Sequence, residues 1–388
     1  TFGFPGVMAP IWLEMFDVGN AAAGTTIFFM LAAVGAFMFL VGHWQERYGI
    51  RRMIFFGVVL TAFASLVAAY ARSIYVIYAW AFLNGIASSF VYIPALTLVQ
   101  LWHPQKKGLA SGTVSMVFGL SAAIVSPLFG KLLSSLGYSS MNLSIAALTI
   151  VTGLVGAYLA RPPDLKIIAS IGSSPDEAKG THPDGWDLWT RSLTVQECLH
   201  TQSFWFLWIT WTLAGAAGVS MSILATIYGL SKGFGLESAV LILMAFNFTN
   251  GTGRIISGFI SDKIGRNRTM SMAFFAAGVA YLALSWAGNL TQCALLAAVV
   301  GFAFGTLFSV SAPLVADSFG LKHFGAIFGL TFAAYGFVAG PLGPTLSGYM
   351  LDVTNGNFFL VFLYLGIFYL ISGFCIMMVT PPPRKSTP

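Results

Sequence analysis

Charge is what this sequence has least of. Only 8% of its 388 residues are Asp, Glu, Lys or Arg, where a soluble globular domain carries about 25%. Too few charged side chains are present to cover a water-facing surface. Cysteine is nearly as scarce: Cys198, Cys293 and Cys375 stand far apart and follow no metal-ligand spacing. They are expected to be structural, and no metal or cofactor is expected. The net charge of +6 does not imply nucleic acid, because the placement of the cations accounts for it. No cleavable signal peptide is recognisable.

What is abundant is hydrocarbon. Hydrophobic residues make up 57% of the chain, with 35 Phe and 42 Gly. Apolar runs of about twenty residues recur throughout, each long enough to cross a bilayer as a helix. The fold class is therefore an all-α, multi-pass membrane protein. Spans are expected roughly at 20–44, 53–71, 73–101, 107–134 and 140–160, and again at 203–230, 237–261, 268–288, 291–316, 323–350 and 357–380. The run from Thr1 to Leu13 is too short to span, so part of a first helix is expected to lie outside the given sequence. The reading is six spans, a polar linker, then six spans. The domains are 1–160 as an N-terminal bundle, 161–201 as a cytoplasmic linker, and 202–388 as a C-terminal bundle with its tail.

Lys and Arg concentrate in loops on the cytoplasmic side of a spanning protein. With the linker inside, Arg47, Arg51, Arg52, Lys106, Lys107, Arg161, Lys263, Arg266, Arg268 and Lys322 all fall in inner loops, as do the cations of the linker and tail. Arg72, Lys131 and Lys232 fall at or near outer loops, and both termini are expected to be cytoplasmic. One cation, Arg254, remains inside a span.

The halves repeat. Gly42, Glu46, Arg47 and Gly49 map onto Gly258, Asp262, Lys263 and Gly265 with a shift of 216. Gly108, Gly112, Gly119 and Pro127 map onto Gly325, Gly329, Gly336 and Pro344 with a shift of 217. Equivalent segments with the same in/out sense imply parallel repeats about an axis along the membrane normal. Gly and Pro thin and bend helices where two halves would meet.

The loop pattern Gly–x–x–x–acid–base–x–Gly after spans two and eight, with the helix repeat and the central linker, resembles the major facilitator superfamily. The resemblance covers essentially the whole chain and implies the twelve-helix fold of that family. It also implies that Glu46, Arg47, Asp262 and Lys263 act in cytoplasmic gating, whereas from residues alone they are solvated loop charges that set topology.

Arg254 poses the chemical question. A guanidinium near mid-depth costs at least about 2.5–3.5 kcal/mol, and arginine does not escape by losing its proton. Every Asp and Glu falls in a loop, the linker or the last turn of a span, and all five His lie on the cytoplasmic side. The simplest partner is a substrate anion, a carboxylate able to meet the planar fork with two hydrogen bonds. Capping backbone carbonyls and snorkelling to the interface are the bland alternatives. Asn250, four residues earlier on the same helix face, is placed to donate to the anion or to orient Arg254; a packing amide is its plain reading. Tyr92 and Tyr335 are candidates for a second oxygen on the substrate, since buried hydroxyls need partners. Phe332 and Phe118 are candidates for an apolar wall, though ordinary core suits both.

The motif Asn-Gly-Thr-Gly-Arg ending at Arg254, with the preceding TQSFWFLWITW, resembles bacterial oxalate/formate-antiporter-like carriers and their monocarboxylate-transporter relatives. That resemblance implies that Arg254 binds the substrate carboxylate. Two departures narrow it. Where the oxalate carriers have a lysine in span eleven this sequence has Thr331, so one cation matches one carboxylate. Where animal monocarboxylate transporters have an aspartate four residues before the arginine this sequence has Asn250, which does not titrate.

The function expected is secondary active transport of a lactate- or pyruvate-like monocarboxylate by alternating access, coupled to protons, with oxalate/formate-type anion exchange as the alternative. The partners are the small anion, protons and lipid; a monomer in the plasma membrane, such as a bacterial inner membrane, is expected. An intramembrane enzyme lacks a buried base for the abundant serines. A channel, a sensor and a neutral-solute carrier are the remaining rivals; Arg254 speaks against the last.

Overall fold

The apolar runs fold as the helices their lengths demand. The computed structural model describes residues 20–163 and 192–380, together with Met8, Ile11, Trp12 and residues 15–18 near the start. Helix α1 is Asn20–Tyr48, α2 Ile50–Ala69, α3 Ile74–Trp102 and α4 Lys107–Leu159. A short helix α5, Val195–Leu199, precedes α6 Gln202–Ser231, α7 Leu236–Ile264, α8 Arg266–Leu284, α9 Leu290–Phe319 and α11 Phe358–Met377. Between the last two lies α10, which runs from Phe324 to Val353. Among the described residues there is no strand.

Helix α4 covers two expected spans. It passes through Gly137, whose φ of 77° and ψ of 171° break the helix between them. The expected span at 1–13 falls mostly outside the described residues, as does 164–191 of the linker. Each other expected span has its helix, with ends displaced by only a few residues, because a bilayer-length apolar run bounded by charge leaves the backbone no other way to satisfy itself.

The exterior is as apolar as the interior. Phe28, Phe63, Phe248, Trp286 and Phe374 are all more than half exposed, at 59%, 52%, 69%, 73% and 63%. Contiguous outward hydrocarbon of this extent fits lipid rather than water. The buried hydroxyls are mostly occupied by their own helices. Ser88, Ser220, Ser311 and Thr331 each donate to the carbonyl four residues earlier, at 2.8, 2.8, 2.6 and 3.0 Å. Such back-bonding satisfies a serine inside a membrane helix.

Among the described residues, two helix crossings make most of the contact between the early helices and the late ones: α1 packs on α10, and α4 packs on α7. The repeat glycines lie in these crossings. Gly42 of α1 faces the carbonyl of Gly325 in α10, and Gly258 of α7 faces the carbonyl of Gly108 in α4; a methyl on either would overlap that oxygen. One turn deeper, Gly329 abuts the Met38 carbonyl and Gly112 abuts the Arg254 carbonyl. The sequence echo is thus a spatial one, with the same close approach made twice. Helix α10 departs from regular geometry beyond this contact. It widens into π turns over Ala334–Ala339 and Pro341–Thr345, where Pro341 and Pro344 supply no amide N–H. Widened turns of this kind occur frequently at functional sites.

Candidate functional site

Arg254 stands ten residues before the C-terminal end of α7 at Ile264, about 15 Å along the helix. It is only 5% exposed, so it neither faces lipid nor snorkels. Its Nη1 donates to the Ser115 carbonyl of α4 at 2.8 Å. Its Nη2 reaches Asn250 Oδ1 at a long 3.4 Å. The guanidinium carbon sits 4.8 Å from the centre of the Phe308 ring on α9. Its Nε is buried without a hydrogen-bond partner. Ser309 Oγ donates to the Arg254 carbonyl at 2.5 Å and pins α7 to α9.

Among the described residues, no carboxylate pairs with Arg254. A hydrogen bond from a charged donor is worth about 1.5–3 kcal/mol, and a desolvated cation–π contact about 2. Together they offset an insertion cost of about 2.5–3.5 kcal/mol. Dipoles and a ring thus hold the guanidinium in place without neutralising its charge.

The remaining expected residues gather round it unevenly. Tyr92 of α3 is buried, and its hydroxyl is 3.2 Å from Ser115 Oγ. Tyr335, at the start of the widened turn in α10, is half-buried and packs edge-on to Phe308 and Phe332, with ring centres 5.4 and 5.5 Å apart. Both tyrosines lie within electrostatic reach of Arg254. Phe332 is buried between Tyr92 at 6.4 Å and Trp211 at 4.8 Å. Thr331 is fully buried and its hydroxyl is occupied by the Ile327 carbonyl. The side chain of Phe118 lies outside the described residues.

The sequence marked no role for three neighbours, Ser115, Phe308 and Trp211, the last of which ends the stretch TQSFWFLWITW. Trp211 of α6 is fully buried, touches Phe308 at 5.2 Å, and has an indole N–H without a partner. The result is a packed aromatic cluster of Tyr92, Trp211, Phe304, Phe308, Phe332 and Tyr335, with the guanidinium against one of its rings.

The four expected gating residues divide into two kinds. Asp262, near the C-terminal end of α7, accepts from the backbone N–H groups of Gly108 and Leu109 at 2.9 Å each. It thereby caps the start of α4, where a carboxylate is favoured by the helix dipole. Arg266 pairs with Asp262 and, through Nε at 3.1 Å, with Asp317 of α9. Lys107, only 3% exposed, pairs with the same Asp317 at 2.6 Å. On the other crossing Glu46 meets His323 Nδ1 at 2.8 Å. Arg47 and Lys263 make no such bridge among the described residues; they lie over Tyr48 and Phe259 of their own helices, at 5.6 and 4.3 Å. Lys107, Arg266 and Asp317 had been read only as topology-setting or helix-end charges.

The model of the Major Facilitator Superfamily matches residues 1–340 and 241–388, which together span the chain. The chain belongs to the major facilitator superfamily. Among curated proteins of the superfamily, the oxalate:formate antiporter of Oxalobacter formigenes is 26% identical over 295 residues, covering 76% of this chain and 67% of that protein. Monocarboxylate transporter 2 of Rattus norvegicus is 24% identical over 352 residues, covering 86% and 70%. Among solved structures, the superfamily transporter FucP in the outward conformation aligns with a TM-score of 0.73 at 13% identity, over 97% of this chain and 94% of that one. This major facilitator chain is therefore a multi-pass membrane transporter with the superfamily's helical fold.

Proposed function

We propose that the chain is a secondary active transporter of small monocarboxylates, working by alternating access between the 1–160 and 202–388 halves joined by the 161–201 linker. The reading rests on one observation: a buried, un-neutralised guanidinium, with its Nε unpartnered, at the edge of an aromatic cluster. The substrate carboxylate takes hydrogen bonds from Arg254, and Asn250 orients the fork. Tyr92 and Tyr335 serve an additional oxygen, and Phe332 covers the carbon chain. Thr331 contributes size and shape but no charge, so the site balances one negative charge.

Arg254 also links recognition to movement. Its Nη1 bond to Ser115 crosses from α7 to α4. An anion that draws the guanidinium away from that carbonyl weakens the crossing while neutralising the site. The Asp262 cap and the Glu46–His323 contact form the cytoplasmic gate that must part next. Arg47 and Lys263 act there by field alone. Asn250 offers no titrating relay, so a coupled proton is carried by a group other than Asn250 while the carboxylate stays ionised on Arg254. The location is the plasma membrane, and one chain suffices.

Uptake into proteoliposomes tests this. Lactate, pyruvate, formate and oxalate are each offered with and without an inward proton gradient. The expectation is saturable monocarboxylate uptake driven by the gradient and abolished in Arg254→Ala. Transport that survives Arg254→Ala rules the site out. The second reading is anion exchange, favoured by the likeness to the oxalate:formate antiporter. Uptake that needs a counter-anion inside, and ignores the gradient, decides for it.

A further inference from the structure

At the cytoplasmic ends of α2 and α4, away from Arg254, lies an open crevice of about 450 Å³ lined by Arg51, Arg52, Phe55, Leu154, Ala157 and Tyr158. Arg51 lies 5.0 Å above the Tyr158 ring, and Arg161 lies 5.2 Å from the centre of the same ring. The Trp102 indole N–H donates to the Arg161 carbonyl at 2.8 Å and fixes the end of α3 beside it. Three guanidinium groups are thus collected at one corner, held partly by an aromatic face. Among the described residues none of them forms an ion pair. From the arginines the crevice runs along outward hydrocarbon: Phe55, Val151 and Val155 are 51%, 64% and 57% exposed.

The repeat supplies an internal control. The residue 216 positions after Arg51 is Asn267. Its amide donates to the Ile376 and Val379 carbonyls at 2.8 and 2.5 Å and ties α8 to the end of α11. Of the Arg51–Arg52 pair, only Arg52 has a cationic equivalent in the late half, Arg268, while the equivalent of Arg51 is spent on a helix tie.

We infer that the Arg51–Arg52–Arg161 crevice binds the phosphate headgroup of an anionic phospholipid from the cytoplasmic leaflet, with an acyl chain laid along Phe55 and Leu154. A phosphate accepts from planar guanidinium forks, and basic pockets at the cytoplasmic face attract anionic headgroups. The continuous apolar wall gives a soluble phosphate nothing to bury and gives a lipid tail its place. A zwitterionic headgroup brings its own cation against the three arginines and is disfavoured.

The test uses the full chain in detergent, titrated with phosphatidylglycerol or phosphatidylcholine and read by native mass spectrometry. The expected result is retention of phosphatidylglycerol over phosphatidylcholine by at least about tenfold. Each of Arg51→Gln, Arg52→Gln and Arg161→Gln lowers that preference by about twofold, and the triple variant abolishes it. Arg72→Gln, near an outer loop, leaves it unchanged. If the triple variant does not fold, the single variants carry the reading. Equal retention of both lipids overturns the inference, as does a preference undiminished in the folded variants. Displacement of the lipid by millimolar inorganic phosphate or glycerol 1-phosphate would assign the corner to a soluble anion and also overturn it.

Discussion

The two crossings that join the halves share a backbone and differ in chemistry. Gly42 on Gly325 and Gly258 on Gly108 are the same contact made twice. One turn deeper the equivalent places are Met38 and Arg254. At the cytoplasmic end Glu46 meets one histidine, whereas Asp262 caps a helix and joins a network with Arg266, Asp317 and Lys107. Duplication therefore supplied two interchangeable joints, and divergence placed the guanidinium and the dense ion network on one of them. On our proposal the α4–α7 crossing recognises the anion and locks, and the α1–α10 crossing mainly bears.

The largest expected effect breaks the comparison at its centre. Arg254→Ala should lower carboxylate uptake at least about a hundredfold, and Arg254→Lys should not restore it, because an ammonium lacks the planar fork. The mirror change Met38→Ala should stay within about threefold of wild type, since it removes packing and no partner for charge. Equal losses at the two positions would erase the distinction.

A middle-sized effect concerns the gate. Asp262→Ala removes the cap on α4 and leaves Arg266 with Asp317 as its remaining acidic partner, so transport should fall about tenfold. Glu46→Gln keeps an acceptor for His323 and should cost no more than about threefold. Initial uptake rates, beside cross-linking of cysteine pairs placed across each crossing, separate the two. The shared part of the design should respond symmetrically. Gly42→Val and Gly258→Val each drive a side chain into a facing backbone, and both should lower uptake by a similar factor, about tenfold.

The smallest effect sets the background for such cross-linking. Burial pushes the Cys198 thiol of α5 up to about 12. At pH 8 it is neutral, and the neutral thiol is the unreactive form. Maleimide labelling of the folded protein should therefore leave Cys198 unmodified, and labelling should appear only on unfolding.

Much of this was legible in sequence. Helix positions followed from apolar length and flanking charge, the one feature a bilayer imposes without regard to partners. Arg254 was legible because a lone cation among hydrocarbon is conspicuous. The glycine echo announced a repeat, but not that Gly42 would meet Gly325, which depends on how the helices assemble. Phe308 and Trp211 were not legible, because aromatic residues occur in nearly every span and their spacing says nothing of which ring lies under a cation. Ser115 was hidden for a different reason: it contributes its backbone carbonyl, which any residue would supply. The pairing of Lys107 with Asp317 joins positions far apart in the chain, and charge counting treats each by itself. Pro341 and Pro344 forecast a bend in α10; the widened turn that begins before them, at Ala334, had no local signal.

The glycine crossings carry a consequence for leakage. Where peptide lies against peptide, no side chain can swing aside to admit a file of water molecules. Along those two seams a resting carrier would stay proof against stray protons, and on our proposal the gradient behind uptake would not drain through the protein itself.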